Sequence, residues 1–374
     1  MRILYFSRSY TTHDRRFLVE LAACPHEVWY LRLENEVTKY ERRVVPRGIR
    51  ELPPLGEGRS LVSPEQWIRL APRLEAVLEQ VRPDLVHAGT IQTGAFLTAL
   101  VGFRPLLAMS WGSDILVDAG RDEFWAWMTR YALHHADMLV SDCTEVSDAA
   151  SRLGGLDASR IVQFPWGVDT ERFRSGADTL LLRQRPGWEG STIILCTRSW
   201  EPNYGVLYLL DAFCLARDTM PRLRLVLLGS GSQNEAIRQF IREKGLEKVV
   251  LLPGAAPPEQ LPDYFRAADV YASCAYSDGS SLSLLEAMAT GLPVLVTDRA
   301  SNREWVAGQG HGLLAPFGDS AAIAAALLQL AALSPERRSA IAACNRATIE
   351  QRADWKRNIA KLLAAYSALR PDLA

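Results

Sequence analysis

The sequence predicts an α/β protein of two doubly wound domains followed by a terminal helix. Three observations carry that prediction. Short apolar runs alternate with longer segments of helical spacing, the rhythm breaks once near residue 168 and resumes, and 374 residues suit two domains of ordinary size. Such β-α alternation implies a parallel sheet with helices on both faces.

In the first half the strand candidates are Ile3–Phe6, Val28–Leu31, Leu85–His87, Leu106–Met109, Met138–Val140 and Ile161–Phe164. Between the second and third, Trp67, Leu70, Leu74, Val77, Leu78 and Val81 recur at helix spacing. Ser63-Pro64-Glu65-Gln66 opens them as a capping box. The polar, Gly- and Pro-bearing stretch Arg174–Gly190 reads as a connection. A second series follows with Ile193–Cys196, Leu223–Leu228, Val249–Leu252, Val270–Ser273 and Pro293–Val296. Beyond Ala321 the pattern is helical, and Trp355, Ile359, Leu362, Leu363 and Tyr366 share one face. The expected divisions are therefore 1–168, 169–350 and a terminal helix over 351–374.

A hydrophobic fraction of 48% with 23% charged residues fits a folded globular chain. A net charge of -1 supplies no global field for nucleic acid, so no nucleic-acid partner is expected. Cysteines at 24, 143, 196, 214, 274 and 344 stand singly, without metal-ligand or disulfide spacing. Ile3–Phe6 is too short for a signal peptide and Ala321–Leu333 too short to span a bilayer, so a cytoplasmic protein is expected. Phe124, Trp125, Trp127, Met128 and Tyr131 cluster with Arg121 and Arg130. That grouping fits a core-facing helix better than a surface one, with weak peripheral contact to the inner membrane face as the alternative.

Ligands of doubly wound sheets bind beyond the carboxyl ends of the strands, so the loops there carry the candidate chemistry. Asp278-Gly279-Ser280-Ser281 opens a helix from Leu282, where free backbone N–H groups and the helix dipole favour a phosphate. Glu286 lies among apolar residues of that helix and needs a ligand or a partner, while Asp278 before Gly279 also fits a plain turn. Arg198, after its strand, suits a diphosphate or a surface loop equally. Gly229-Ser230-Gly231-Ser232 is a partial nucleotide loop. In the first half, His13-Asp14-Arg15-Arg16 and Trp111-Gly112-Ser113-Asp114 follow strands, with Asp14 and Asp114 as helix N-caps the plainer reading. His134 and His135 read as structural.

Three blocks then carry a resemblance over nearly the whole chain: Pro165-Trp-Gly-Val-Asp-Thr-Glu-Arg-Phe173, Arg198, and Asp278 with Glu286 leading Glu286-Ala-Met-Ala-Thr-Gly-Leu-Pro-Val294. In these the sequence resembles the retaining glycosyltransferases of family 4. The resemblance implies the GT-B architecture, two Rossmann-like domains facing across a cleft, with the C-terminal helix packing back on the N-terminal domain. It implies an acceptor-binding first domain and a nucleotide-sugar-binding second one. Glu286 would hold ribose hydroxyls, Asp278 would contact the donor sugar, and Arg198 with the amides of Gly279, Ser280, Ser281 and Leu282 would hold the phosphates. The acceptor hydroxyl would approach from the leaving-group face, with no enzyme nucleophile, cofactor or metal. A UDP-sugar or GDP-sugar would be the substrate, and a sugar, glycan or lipid-linked molecule the acceptor.

The sequence departs from that family at several positions. Tyr204 replaces the usual phosphate-binding Lys, Asp278 an acidic position usually Glu, and Trp111 a frequent cleft His, while the first loop lacks paired glycines. Arg15, Arg16 or Arg303 are candidates for the missing charge and His13 for the missing imidazole. The expected catalytic residues are thus His13, Asp114 and Asp278. Donor binding is expected to add Arg198, Tyr204, Gly229, Ser230 and Glu286, with Asp14, Arg15 and Trp111 on the cleft side. The rival reading is a non-catalytic nucleotide-sugar-binding subunit. A nicotinamide dehydrogenase is disfavoured because neither half holds a complete dinucleotide fingerprint.

Overall fold

The computed structural model describes residues 1–34, 41, 43–56, 63–177, 180–306 and 308–373. Residues 178 and 179 of the connection read from the sequence, and Ala374 of its terminal helix, lie outside these. The chain forms two compact units, Met1–Pro165 with Arg357–Ala374, and Trp166–Lys356.

The first unit holds a seven-stranded sheet of β1 (Arg2–Ser7), β2 (Glu27–Arg32), β3 (Ile49–Glu51), β4 (Leu85–Ala88), β5 (Leu106–Met109), β6 (Met138–Ser141) and β7 (Ile161–Gln163), in the order β3-β2-β1-β4-β5-β6-β7. Every pairing is parallel, with Ile3 opposite both Val28 and Leu85. β4 and β5 are buried along their whole length, as strands covered by helices on both faces must be. That is why β5 is a continuous apolar run, and β4 is one interrupted only by the buried His87, rather than alternating. The edge strand β3 has only three residues, of which Arg50 and Glu51 are polar and exposed, so periodicity did not reveal it.

The helical stretch after residue 63 is two helices, Pro64–Ile68 and Ala71–Val81. Pro72, near the start of the second, cannot donate to the preceding turn and ends the first helix. The Gln66 side chain accepts from the Ser63 backbone N–H at 3.2 Å, the reciprocal half of the expected capping box. The helix Glu123–His135 has two faces. Met128, Ala132 and Leu133 are buried, whereas Phe124 and Trp127 remain 37% and 40% exposed, stacked at 5.6 Å. Among the described residues no helix is long and apolar enough to cross a membrane.

The last helix, Trp355–Leu369, packs against the first sheet. Tyr366 Oη lies 2.6 Å from His87 Nδ1 on β4, Asn358 Nδ2 donates to the Pro165 carbonyl, and Arg370 Nη1 donates to the Asp84 carbonyl. Burial holds the His87 imidazole down to about 3, neutral at physiological pH.

The second unit holds β8 (Thr192–Cys196), β9 (Leu223–Leu228), β10 (Val250–Gly254), β11 (Val270–Ser273), β12 (Val294–Thr297) and β13 (Gly312–Ala315), in the order β10-β9-β8-β11-β12-β13. It too is parallel throughout. β13, Gly312-Leu-Leu-Ala315, escaped the sequence reading because Gly312 and Ala315 leave only two large apolar residues to signal a strand.

Candidate functional site

In the second sheet, the chain leaves β8 for β9 on one side and later returns to β11 on the other, so the order reverses between β8 and β11. A reversal opens a crevice outside the carboxyl ends of those two strands. Arg198 leaves β8 into it, and the loop after β11 brings Asp278 and Ser281 to meet it. Arg198 Nη2 lies 2.6 Å from Asp278 Oδ2. Nη1 donates to Ser281 Oγ at 2.8 Å and Ser283 Oγ at 3.0 Å, and Tyr271 Oη donates to the same Ser283 hydroxyl at 2.7 Å.

The fourth side of the guanidinium is aromatic: its central carbon lies 4.2 Å from the centre of the Tyr204 ring. Tyr204 is placed by its neighbours. Tyr276 N–H donates to the Asn203 carbonyl and Asn203 Nδ2 to the Ser277 carbonyl, tying the β8 loop to the β11 loop. Gly205 follows with φ +61°, and a Cβ there would lie 2.1 Å from the Cys274 carbonyl oxygen, so only glycine fits. Burial works against the charge on Arg198, and the Asp278 carboxylate outweighs it, holding the guanidinium above its ordinary range.

Ser281 is the N-cap of the helix Leu282–Thr290, yet its side chain caps nothing because it faces Arg198. The helix thus presents a start without a side-chain cap beside a buried cation, two features that favour an anion. Glu286, one turn further in, is 8% exposed. Ser301 Oγ donates to the Asp278 carbonyl at 2.9 Å, fastening the loop from the β12 side. Arg303, on the same short helix as Ser301, is paired in fork fashion with Asp298 through Nε and Nη2, so its charge is already compensated.

Gly229 and Ser230 belong to the same end of the sheet but act as a scaffold for the β8 loop. Trp200 N–H donates to the Ser230 carbonyl, and Ser232 N–H donates to Glu201 Oε1 at 2.9 Å. A Cβ at Gly229 would lie 2.6 Å from the Arg198 carbonyl oxygen, so this glycine allows the approach.

In the first unit the order reverses between β1 and β4. The helix Thr12–Ala23 follows β1, and its cap is Thr11; Asp14, read as a cap from the sequence, is the third helical residue and completes a capping box. Asp14 accepts from Thr11 N–H at 2.8 Å, Thr11 Oγ1 at 2.5 Å and Tyr5 Oη at 3.1 Å. Burial nevertheless lifts its carboxyl to about 6, these donors opposing the rise.

Asp114, likewise, is not a cap: the short helix Ser113–Leu116 begins at Gly112, without a side-chain cap. The Asp114 carboxylate accepts from Ser110 Oγ at 2.6 Å and from the N–H groups of Ile91, Trp111 and Ile115 at 3.1 Å each. It ties the β5 loop to the turn after β4. His13 and Trp111 do meet, with ring centres 5.2 Å apart. Arg15 is half-buried, its Nε without a hydrogen-bond partner.

Of the residues singled out in the sequence, the fold brings Arg198, Asp278 and Ser281 together, and it adds Ser283, Tyr271 and Ser301, which the sequence did not single out. A serine two positions after another at a helix start was the only hint at Ser283.

Residues 10–167 match the family model of the glycosyl transferase 4-like domain and residues 179–346 that of the glycosyl transferases group 1. EpsD of Bacillus subtilis is 26% identical over 325 residues, 82% of each chain. Mannosylfructose-phosphate synthase of Agrobacterium fabrum is 29% identical over 48% of this chain, and D-inositol 3-phosphate glycosyltransferase of Nocardia farcinica 35% identical over 44%. Those matches span 42% and 38% of the two relatives' own length. Among solved structures, sucrose-phosphate synthase from Thermosynechococcus elongatus superposes with a TM-score of 0.82 over all of both chains at 19% identity. HepE from Anabaena in complex with UDP-glucose does so with 0.79 over 99% of this chain and 100% of its own at 21% identity.

Proposed function

We propose that this chain, which belongs to the glycosyl transferases group 1 family and has the GT-B fold, is a retaining glycosyltransferase that moves a sugar from a nucleotide diphosphate sugar to a sugar, glycan or lipid-linked acceptor. One observation carries the donor reading: Arg198, two serine hydroxyls and a helix start without a side-chain cap converge where the second sheet reverses its order. A guanidinium and open backbone N–H groups suit a diphosphate, whose charge grows as the sugar departs. Glu286 then holds the ribose hydroxyls and Asp278 reaches the donor sugar. HepE, described with UDP and with UDP-glucose, supports a UDP-sugar, and the GDP-mannose-dependent mannosyltransferase of Mycolicibacterium smegmatis, 27% identical over 57% of this chain, supports a GDP-sugar.

In the first unit, His13 and Trp111 form the acceptor side, while Asp14 and Asp114 position the loops that carry them. The exposed pair Phe124 and Trp127 supports a weak contact with a membrane surface near a lipid-linked acceptor. The reaction is tested by incubating the protein with UDP- and GDP-sugars and a mixed acceptor panel, following the anomeric protons by NMR. Release of nucleoside diphosphate with retained configuration is expected. Tight nucleotide binding without any turnover favours a non-catalytic subunit instead.

A further inference from the structure

Arg198 is enclosed by this chain's own groups, and the enclosure is incomplete. Two hydroxyls take Nη1, the Tyr204 ring takes one face, and Asp278 lies against Nη2. Nε, buried, has no hydrogen-bond partner. The ion pair itself is close but poorly directed, since Asp278 Oδ2, 2.6 Å from Nη2, also has no hydrogen-bond partner. A buried guanidinium left without a counter-ion is costly, so Arg198 needs an anion beside it before any donor binds. The carboxylate supplies one without using the full donor set that a phosphate would engage. Asp278 is the less buried partner, at 23% side-chain exposure against 11% for Arg198, so it is the group with room to turn away.

We propose that Asp278 is an internal counter-ion that pairs with Arg198 until a donor binds and competes with the donor's diphosphate for it, while Tyr204 keeps the guanidinium plane in place. The inference rests on the donor reading above and goes beyond it. On binding, the diphosphate takes Nη2 and Nε, and two like charges within a few ångströms of one cation drive the carboxylate off. The released Asp278 is an acceptor-only group beside the diphosphate, placed for hydroxyls of the donor sugar. Donor binding and delivery of Asp278 to the sugar are then one exchange. A purely structural clasp makes the opposite demand: Asp278 would hold Arg198 ready, and losing it would weaken binding.

Calorimetric titration of the full chain with UDP and GDP, and with uridine and guanosine, separates these. Removing one like charge beside the diphosphate is worth about one pK unit, so Asp278→Asn is expected to bind the nucleoside diphosphate about tenfold more tightly. Affinity for the parent nucleoside should not move. Tyr204→Phe should bind diphosphate like the wild type, and Tyr204→Leu about threefold more weakly, the loss of a cation–π contact. Asp278→Ser repeats the test should the first variant melt early. Unchanged or weaker diphosphate binding in an Asp278 variant that keeps the wild-type melting temperature and nucleoside affinity overturns the exchange. A wild type that binds neither nucleoside diphosphate overturns the donor reading itself.

Discussion

At the reversal of the first sheet the buried carboxylates face neutral donors, and at the reversal of the second the carboxylate faces a guanidinium. Asp114 accepts from three backbone N–H groups and a serine hydroxyl, and Asp14 from Thr11 and Tyr5. Asp278 instead lies against Arg198, whose Nε is still unengaged. Two sheets of the same winding thus make crevices of different use. Where neutral donors already satisfy a carboxylate, an arriving anion meets its repulsion and cannot use those donors. Where a buried cation is held by an exchangeable carboxylate, an arriving diphosphate has a ready partner.

The contrast is sharpest at Arg198. Its replacement by Ala should lower transfer by about 100- to 1,000-fold, the usual loss when a preorganised donor to a developing anion is removed. Steady-state kinetics with the preferred donor measures it, and a variant with near-normal kcat/KM would place the diphosphate elsewhere. Asp114→Ala should act on stability instead. It strands its donors in a buried loop, at about 3 kcal/mol in urea unfolding, without changing nucleoside diphosphate affinity. An Asp114→Ala protein that melts like the wild type yet has lost transfer would instead support the catalytic role expected from the sequence.

Asp14 gives a pH signature. Its folded carboxyl sits at about 6, above the ordinary value near 4, so the native state holds the proton more tightly than the unfolded chain. Wild-type stability should therefore fall, relative to Asp14→Asn, as pH rises from about 4 through about 6, by about 2–3 kcal/mol in total. Parallel stability curves for the two proteins across that window would show that burial does not govern this group. Glu286→Gln should have the smallest effect of the series. It should weaken nucleoside and nucleoside diphosphate alike by about tenfold, as one charge-assisted hydrogen bond predicts. A loss confined to the diphosphate would move Glu286 away from the ribose.

Much of this arrangement was legible in the sequence because it follows from local chemistry. Strands such as Leu106–Met109 are buried on both faces and so read as apolar runs, and the small-residue loop before Leu282 announced a helix start. What escaped depends on partners distant in sequence. That Thr11 rather than Asp14 is the cap, that Asp114 reaches Ile91, and that Tyr204 lies under Arg198 are matters of where loops fold, which no periodicity encodes. Pro72 was a readable break, outweighed by the apolar stripe running through it.

The claim on which the rest depends is that the donor lies at the second reversal and not the first. Hydrogen-exchange mass spectrometry with and without saturating UDP or GDP tests it directly. Protection is expected in the β8 loop around Arg198–Gly205 and in the segment from Asp278 to Glu286, with exchange at Ser110–Leu116 unaltered. Protection confined to the first-unit loops, with none at Arg198 or the Leu282 helix start, would contradict it.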